Sequence, residues 1–378
     1  MNKNFISSRQ LSLLPERIHK AEETNASKEI NKYVRELCKK KNYEPLRIMI
    51  VGAGGSYPAA IAISHIIRFE MSFPDVEAYT PQTAIRILDQ PSCGKPIHYD
   101  LVIGVSYSGT SPDIIAVYQK CKSIMTPFVL FTGNEKELVE RKYVKDSLKI
   151  VSYYNPEDST GKELGMISMF STLAPIVVFD DYVISSNPNE RRFKVYKEFL
   201  DEGKRYVSKL DIPKIAQTLK RRPIILVLHD WSTKAIAEDI NSKFMESGLA
   251  YVSLYDEKNF SHGAYTSLYK QRFGMVIKIT RFGYLLDLDV PHIPVRYTDY
   301  DDELDKFLKS ICKRHSAIYL ELGNQLIFLP EMIMKEMSML PYLITAIGEE
   351  LGVDISEPFA PKPFPAETRA LYKYEGEF

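Results

Sequence analysis

The strongest constraint on what this chain can become lies in residues 100–119, DLVIGVSYSGTSPDIIAVYQ. Leu101, Val102, Ile103 and Val105 form the short, apolar, β-branched run that a buried parallel strand needs, and Ile114, Ile115 and Val117 begin a helix. Between them lies Ser106-Tyr107-Ser108-Gly109-Thr110-Ser111. Ser111 stands at the N-cap position, with Pro112 at the first helical position and Asp113 in the first turn. A hydroxyl cluster therefore sits where a strand hands over to a helix. Backbone N–H groups and the positive end of the helix dipole favour a phosphate there, and Ser and Thr hydroxyls complete its hydrogen bonds without adding charge. The alternative is a serine-rich turn that only caps a helix.

The same strand-turn-helix pattern occurs earlier. Ile48, Met49, Ile50 and Val51 read as a buried strand ending in Gly52-Ala53-Gly54-Gly55-Ser56, and Ala59 to Phe69 resume a helix. Further strands are expected at 76–80, 128–132 and 148–152, with helices at 166–178 and 189–210. Strands alternating with helices predict a parallel sheet covered on both faces, with ligands at the carboxyl ends of the strands. Residues 213–223 read as a link, after which the pattern restarts. Strands are expected at 224–228, 251–254, 275–279 and 318–322, with a helix at 232–245. This is a repeat of element order rather than of residue identity. The second copy has His229-Asp230-Trp231-Ser232 and Thr280-Arg281-Phe282-Gly283 where the first has its glycine and serine turns, so one phosphate site is expected.

At 378 residues, the chain is long for one core and suggests two domains. The expected boundaries are an N-terminal helical segment at 1–45, a first α/β domain at 46–210, a second at 211–351 and a tail at 352–378. The tail contains Glu357-Pro358-Phe359-Ala360-Pro361-Lys362-Pro363, stiff enough to lie across a site as a lid. Lys and Arg total 49 and Asp and Glu total 49, so the net charge is zero, which argues against nucleic acid or an anionic membrane as main partner. Cys38, Cys93, Cys121 and Cys312 are scattered without a C-x-x-C, suggesting neither a disulfide framework nor a zinc site. No signal-peptide core or membrane-length apolar run is present, making the cytoplasm the default.

Gly52-Ala53-Gly54 after a strand invites a dinucleotide reading, with Asp75 for a ribose, but Tyr57 occupies the position of the third glycine. No G-x-x-x-x-G-K-[ST] occurs. More informative is Lys243-Phe244-Met245-Glu246, followed by Ser261-His262-Gly263. Lys243 and Glu246 are three apart at the end of an expected helix, so they share a face, and a nearby ammonium would keep Glu246 ionised and able to take a proton. His262 in a glycine-flanked loop can exchange protons near neutral pH. Taken singly, Lys243 and Glu246 are more often a solvated pair, and His262 more often an ordinary loop histidine; the joint pattern is what matters.

With these residues in view, the chain resembles the double sugar-isomerase (SIS) family, above all the isomerase half of glucosamine-6-phosphate synthase and the sugar-phosphate deglycases and deaminases. GVSYSGTSPD is similar to the family's S-x-S-G-x-[ST] phosphate loop, and KFMESGLAYVSLYDEKNFSHG to its K-x-x-E and H-G pair. The resemblance covers roughly residues 45–365. It implies two tandem SIS domains of the flavodoxin-like, three-layer kind. Ser106, Ser108, Ser111 and the Tyr107 backbone N–H would hold the phosphate, and Ser56 would meet the sugar. Ser168, in the Glu163–Ser168 stretch, would lie on another sugar-contacting loop. Glu246 would move a proton between C1 and C2, His262 would open the sugar ring, and Lys243 would assist. Lys362 in the tail would reach the first carbons, where an amine can form a Schiff base or polarise a carbonyl.

The resemblance further implies a homodimer in which His262 comes from the partner subunit, and chemistry that needs no cofactor or metal. Two departures matter. Asn2 follows Met1 where the synthase has a cysteine, so glutamine-fed synthesis is not expected, and His262 is followed by Gly263-Ala264 rather than Gly-Pro. The expected activity is aldose-ketose isomerisation, or deglycase or deaminase cleavage, on a keto- or amino-sugar 6-phosphate. The alternative from another class is a non-catalytic phosphosugar sensor.

Overall fold

In the computed structural model, the described residues are 5–42, 44–70, 75–92, 95–96, 98–135, 148–154, 163–164, 167–183, 189–270, 272–279, 297–323 and 329–357. They divide into two compact units, the first built on Arg9–Leu200 and the second on Asp201–Pro358 together with Met1–Ser8.

The chain enters the first unit within α1 (Ile6–Glu22), which is followed by α2 (Ala26–Lys40). Next come β1 (Ile48–Gly52), α3 (Ser56–Glu70), β2 (Val76–Tyr79), α4 (Pro81–Asp89) and a two-residue hairpin, β3 (Pro91–Ser92) and β4 (Lys95–Pro96). The unit continues with β5 (Leu101–Ser106), α5 (Pro112–Ser123), β6 (Phe128–Thr132), β7 (Lys149–Ser152) and α6 (Phe170–Val183), and the chain leaves it within α7 (Asn189–Val207). The five long strands form one parallel sheet in the order β2-β1-β5-β6-β7.

Burial explains that order. Strands β1, β5 and β6 are buried at every position, as expected of strands covered on both faces, whereas the edge strands β2 and β7 are buried at only one position each. Met49, Val51, Val102 and Leu130 pack with Ala84 and Leu88 of α4 and Ile114, Val117 and Cys121 of α5. Helices α3 and α6 pack on one another, and α3 also covers β1, β2 and β5.

The second unit contains α8 (Ile212–Arg221), β8 (Ile224–His229), α9 (Lys234–Glu246), β9 (Tyr251–Asp256), the short α10 (Glu257–Ser261) and a 3-10 turn (Ala264–Tyr269). It closes with β10 (Met275–Ile279), α11 (Tyr297–His315), β11 (Ile318–Leu322) and α12 (Leu329–Leu351). Its parallel sheet runs β11-β10-β8-β9, the arrangement of the first sheet without its last strand. Leu226, Leu228, Val276, Phe273, Phe260, Leu308 and Ile311 form its core. The Asp354 carboxylate receives the N–H groups of Ile6 and Ser7, the latter at 3.2 Å, and so caps the first turn of α1.

The segment expected to be a link, 213–223, is instead mostly helix α8. Asp211 caps it by accepting from the Lys214 N–H at 3.1 Å, and Ile215, Ala216 and Leu219 bury one face. Pro213 lies in the first turn, where a missing N–H costs nothing. The expected strands otherwise agree with those observed to within two residues at either end.

The turn after β1 is sterically closed. A Cβ on Gly52 would stand 2.2 Å from the carbonyl oxygen of Ser56, a backbone atom that cannot rotate away. Gly52→Ala should therefore cost about 1–3 kcal/mol, the usual range for overpacking a tight site. The expected result is a lower urea midpoint at unchanged slope; an unchanged midpoint would show that the turn relaxes freely.

Candidate functional site

In the first sheet the chain runs outward from β1 to β2 on one side and from β5 to β7 on the other. The carboxyl ends of β1 and β5 thus flank a point where strand order reverses. A cavity of about 250 Å³ opens there, lined by Ala53, Gly55, Ser56, Val105, Ser106, Tyr107, Ser108, Ser111, Ile114, Glu163, Ile167, Ser168 and Ser171. It brings together the six residues expected to contact phosphate and sugar in this half: Ser56, Ser106, Tyr107, Ser108, Ser111 and Ser168.

The backbone arranges these hydroxyls. Gly109 adopts a left-handed φ of 68°, and its N–H donates to the Ser106 carbonyl and hydroxyl, both at 3.2 Å. The Thr110 N–H donates to Ser108 Oγ at 3.3 Å. Ser111 occupies the N-cap of α5, but its hydroxyl makes no capping bond. Among the described residues, the N–H groups of Asp113 and Ile114 in that first turn find no acceptor. The start of α5 is therefore open toward the cavity, as anion binding at a helix N-terminus requires.

Ser168 arrives by close approach. A Cβ on Gly55 would lie 2.3 Å from Ser168 Cβ, and Thr172 Oγ1 donates to the Gly55 carbonyl at 3.0 Å. Glu163 lines the same cavity. Its Oε1 accepts from the N–H groups of Met169 and Phe170 at 2.8 and 2.7 Å, and its Oε2 from Ser171 at 3.0 Å, so the carboxylate caps α6. The Glu163 N–H donates to the Tyr107 hydroxyl at 3.1 Å. Burial, reinforced by the Glu163 carboxylate, pushes that phenol up to about 12. Gln10 accepts from the Leu164 N–H at 3.3 Å and from the buried Arg17, tying the loop to α1.

The second unit holds the other candidates. Glu246, half-buried at the end of α9, accepts a hydrogen bond from Ser242 Oγ at 2.7 Å. Lys243 is buried, but the ion pair it forms is with Asp239 one turn earlier rather than with Glu246. Burial pushes the Asp239 carboxyl up, with Lys243 pulling against it, and Asp239 Oδ2 has no hydrogen-bond partner. Asp239 was missed from sequence, although its i,i+4 spacing to Lys243 was there to be read. His262 is exposed on the turn after α10, its N–H donating to the Asn259 carbonyl at 3.2 Å. Lys362 lies outside the described residues.

The second unit's first turn is closed to anions by its own side chain. Asp230 Oδ1 receives Ser232 Oγ at 2.6 Å and the Thr233 N–H at 3.0 Å, which places a carboxylate at the start of α9. The matching loop after β10 lies outside the described residues.

No protein-family model matches the sequence, and no curated protein matches it. Solved structures do. The C-terminal domain of glucosamine-fructose-6-phosphate aminotransferase from Francisella tularensis superposes with a TM-score of 0.66 at 14% identity, covering 94% of this chain and 99% of that one. Tagatose-6-phosphate ketose/aldose isomerase from Escherichia coli gives 0.66 at 15% identity, over 96% and 98% of the two chains. This chain carries the double-SIS fold. Glucosamine-6-phosphate deaminase from Thermotoga maritima shares that fold with a TM-score of 0.59 at 15% identity, over 91% and 98%. The double-SIS neighbours thus include phosphosugar isomerases and a deaminase. Among the described residues no helix is long and apolar enough to cross a membrane.

If the α5 turn seats a phosphate, removing one hydroxyl removes one hydrogen bond to a charged group, worth roughly 1.5–3 kcal/mol. Ser108→Ala is expected to raise the dissociation constant of a sugar 6-phosphate about tenfold or more, leaving the unphosphorylated sugar unaffected. Calorimetric titration decides it, and equal affinities would remove Ser108 from the site.

Proposed function

We propose that this protein is an enzyme acting on a phosphorylated keto- or amino-sugar, moving a proton between C1 and C2 in an aldose-ketose isomerisation or in cleavage of a carbon-nitrogen bond. The observation that carries this reading is the hydroxyl-lined cavity at the open start of α5, at the strand-order reversal of a double-SIS fold. A phosphate there would be held by Ser106, Ser108, Ser111 and backbone N–H groups, with Ser56 and Ser168 toward the sugar.

Enolisation needs a base beside the C1–C2 bond and a group to stabilise the enolate oxygen. Glu246 is the proposed base. Its half-buried carboxylate and its short contact with Ser242 Oγ suit a group that must both meet substrate and hold a fixed orientation. His262, exposed and flanked by a glycine with open space around its Cα, is proposed to open the sugar ring from the partner subunit of a homodimer. Lys362 is proposed to reach the first carbons, and Lys243 to support the proton transfer from its buried pair with Asp239. No cofactor enters this scheme, and the proposed setting is the cytoplasm, without a nucleic-acid or membrane partner.

The deciding experiment is incubation with hexose 6-phosphates, amino-sugar 6-phosphates and fructosamine 6-phosphates in deuterated water, followed by mass spectrometry. Turnover with deuterium at C1 or C2 supports the enzyme. Tight binding without exchange identifies a sensor, and no binding discards the sugar-phosphate reading. Glu246→Gln keeps the shape but cannot take a proton, so exchange should fall by at least about a hundredfold while ligand affinity stays within a few-fold. Wild-type exchange in that variant would assign the base elsewhere.

Co-refolding inactive His262→Ala and Glu246→Gln chains tests action in trans. One site of each mixed dimer then has neither defect, and random pairing restores about a quarter of wild-type activity. Recovery of none would show that His262 serves its own chain.

A further inference from the structure

Three helices begin at the cavity of the first unit, and their N-termini are not equivalent. At the start of α3 the Ser56 and Tyr57 N–H groups are bonded to the carbonyls of Ala53 and Gly54, both at 3.0 Å, and Pro58 has no N–H to offer. At the start of α6 three N–H groups are taken by the Glu163 carboxylate. Among the described residues, only α5 presents open donors. The described lining contains no Lys, Arg or His, and its one carboxylate is Glu163.

A helix N-terminus carries about half a positive charge, so a full carboxylate placed on it leaves the α6 end net negative. Among the described residues Arg17 is the nearby cation, but it is buried, bonded to Gln10 and absent from the lining. At the Tyr107 hydroxyl the influence of Glu163 exceeds that of Arg17. A cavity of about 250 Å³ puts any small ligand wholly within reach of both walls. A sphere of that volume is about 8 Å across, comparable to the roughly 8 Å over which physiological salt screens charge, so repulsion across it is only partly screened.

We infer that the cavity is a single-anion site in which Glu163 sets charge specificity: one phosphate is seated at α5, and a ligand bearing a second anionic group is rejected. This rests on the sugar-phosphate reading for the identity of the ligand, but the charge rule can be tested apart from it. The favoured class is a monophosphorylated sugar that is neutral or cationic beyond its phosphate. Bisphosphates and phosphorylated sugar acids are excluded. Glu163 is a specificity residue here and takes no part in bond making.

The test is calorimetric titration with two ligand pairs, fructose 6-phosphate against fructose 1,6-bisphosphate and glycerol 3-phosphate against 3-phosphoglycerate. In the wild type the second anion should weaken binding about tenfold or more, the scale of one unit-charge repulsion across a few ångströms in a partly wet site. Glu163→Gln keeps an oxygen for the α6 cap and removes the charge, so it should shrink that gap to within about threefold while holding glycerol 3-phosphate affinity within a few-fold. Glu163→Asp should preserve the gap.

Equal binding within each pair in the wild type, or an unchanged gap in Glu163→Gln, overturns the inference. If that variant does not fold, the wild-type gap is measured at rising salt, where a constant gap overturns it equally. If neither fructose phosphate binds while the glycerol pair obeys the rule, the sugar reading falls and the charge rule stands.

Discussion

The ladder between β1 and β5 is the interaction on which the first unit's candidate site depends. Ile48 pairs with Leu101 and Gly52 with Val105, so both strands end at the same level and release their turns side by side. A shift of register would separate the glycine turn from the hydroxyl turn along the sheet, and no loop adjustment could bring Ser56 back to Ser108. The register is held because every position of both strands is buried, and a one-residue slip would exchange the faces that pack on α3 and on α4 and α5.

The hydroxyl turn was legible because two periodicities meet there. The unbroken buried run of β5 ends at Ser106 and helical spacing starts at Ile114, so the residues between must reverse direction at a strand's carboxyl end. Helix α8 was hidden by Pro213 and Pro223, which read as breakers although the first stands where a helix tolerates it and the second lies beyond the helix end. The Glu163 network was beyond local reading. Tyr107 lies 56 residues before Glu163, and nothing in either neighbourhood announces that a phenol will receive that N–H. Likewise K-x-x-E spacing places Lys243 near Glu246, but burial decides which carboxylate the ammonium takes, and the fully buried Asp239 has the greater need of a counter-charge.

The two units answer one electrostatic problem differently. Each has helices starting at the carboxyl edge of a parallel sheet, where anions collect. The first keeps α5 open and lined with hydroxyls, and fills α6 with Glu163. The second fills α9 with Asp230, so a repeated architecture need not present the same anion seat twice. A shared fold and unlike helix ends are compatible because the difference resides in which helix end a carboxylate occupies.

The Asp239–Lys243 pair also bears on how this sequence can drift. Both side chains are excluded from water, at 0% and 2% exposure. Losing either alone strands a charge, at a cost of about 3–5 kcal/mol, whereas replacing both with apolar residues is often neutral. The total stability of a domain is only about 5–15 kcal/mol, so the one-step intermediates lie near the edge of folding. A lineage would therefore have to cross a valley to leave this pair, even if neither residue ever met a substrate. Persistence of a lysine and an acid one helical turn apart is thus weak testimony to catalysis, since the core alone suffices to retain them.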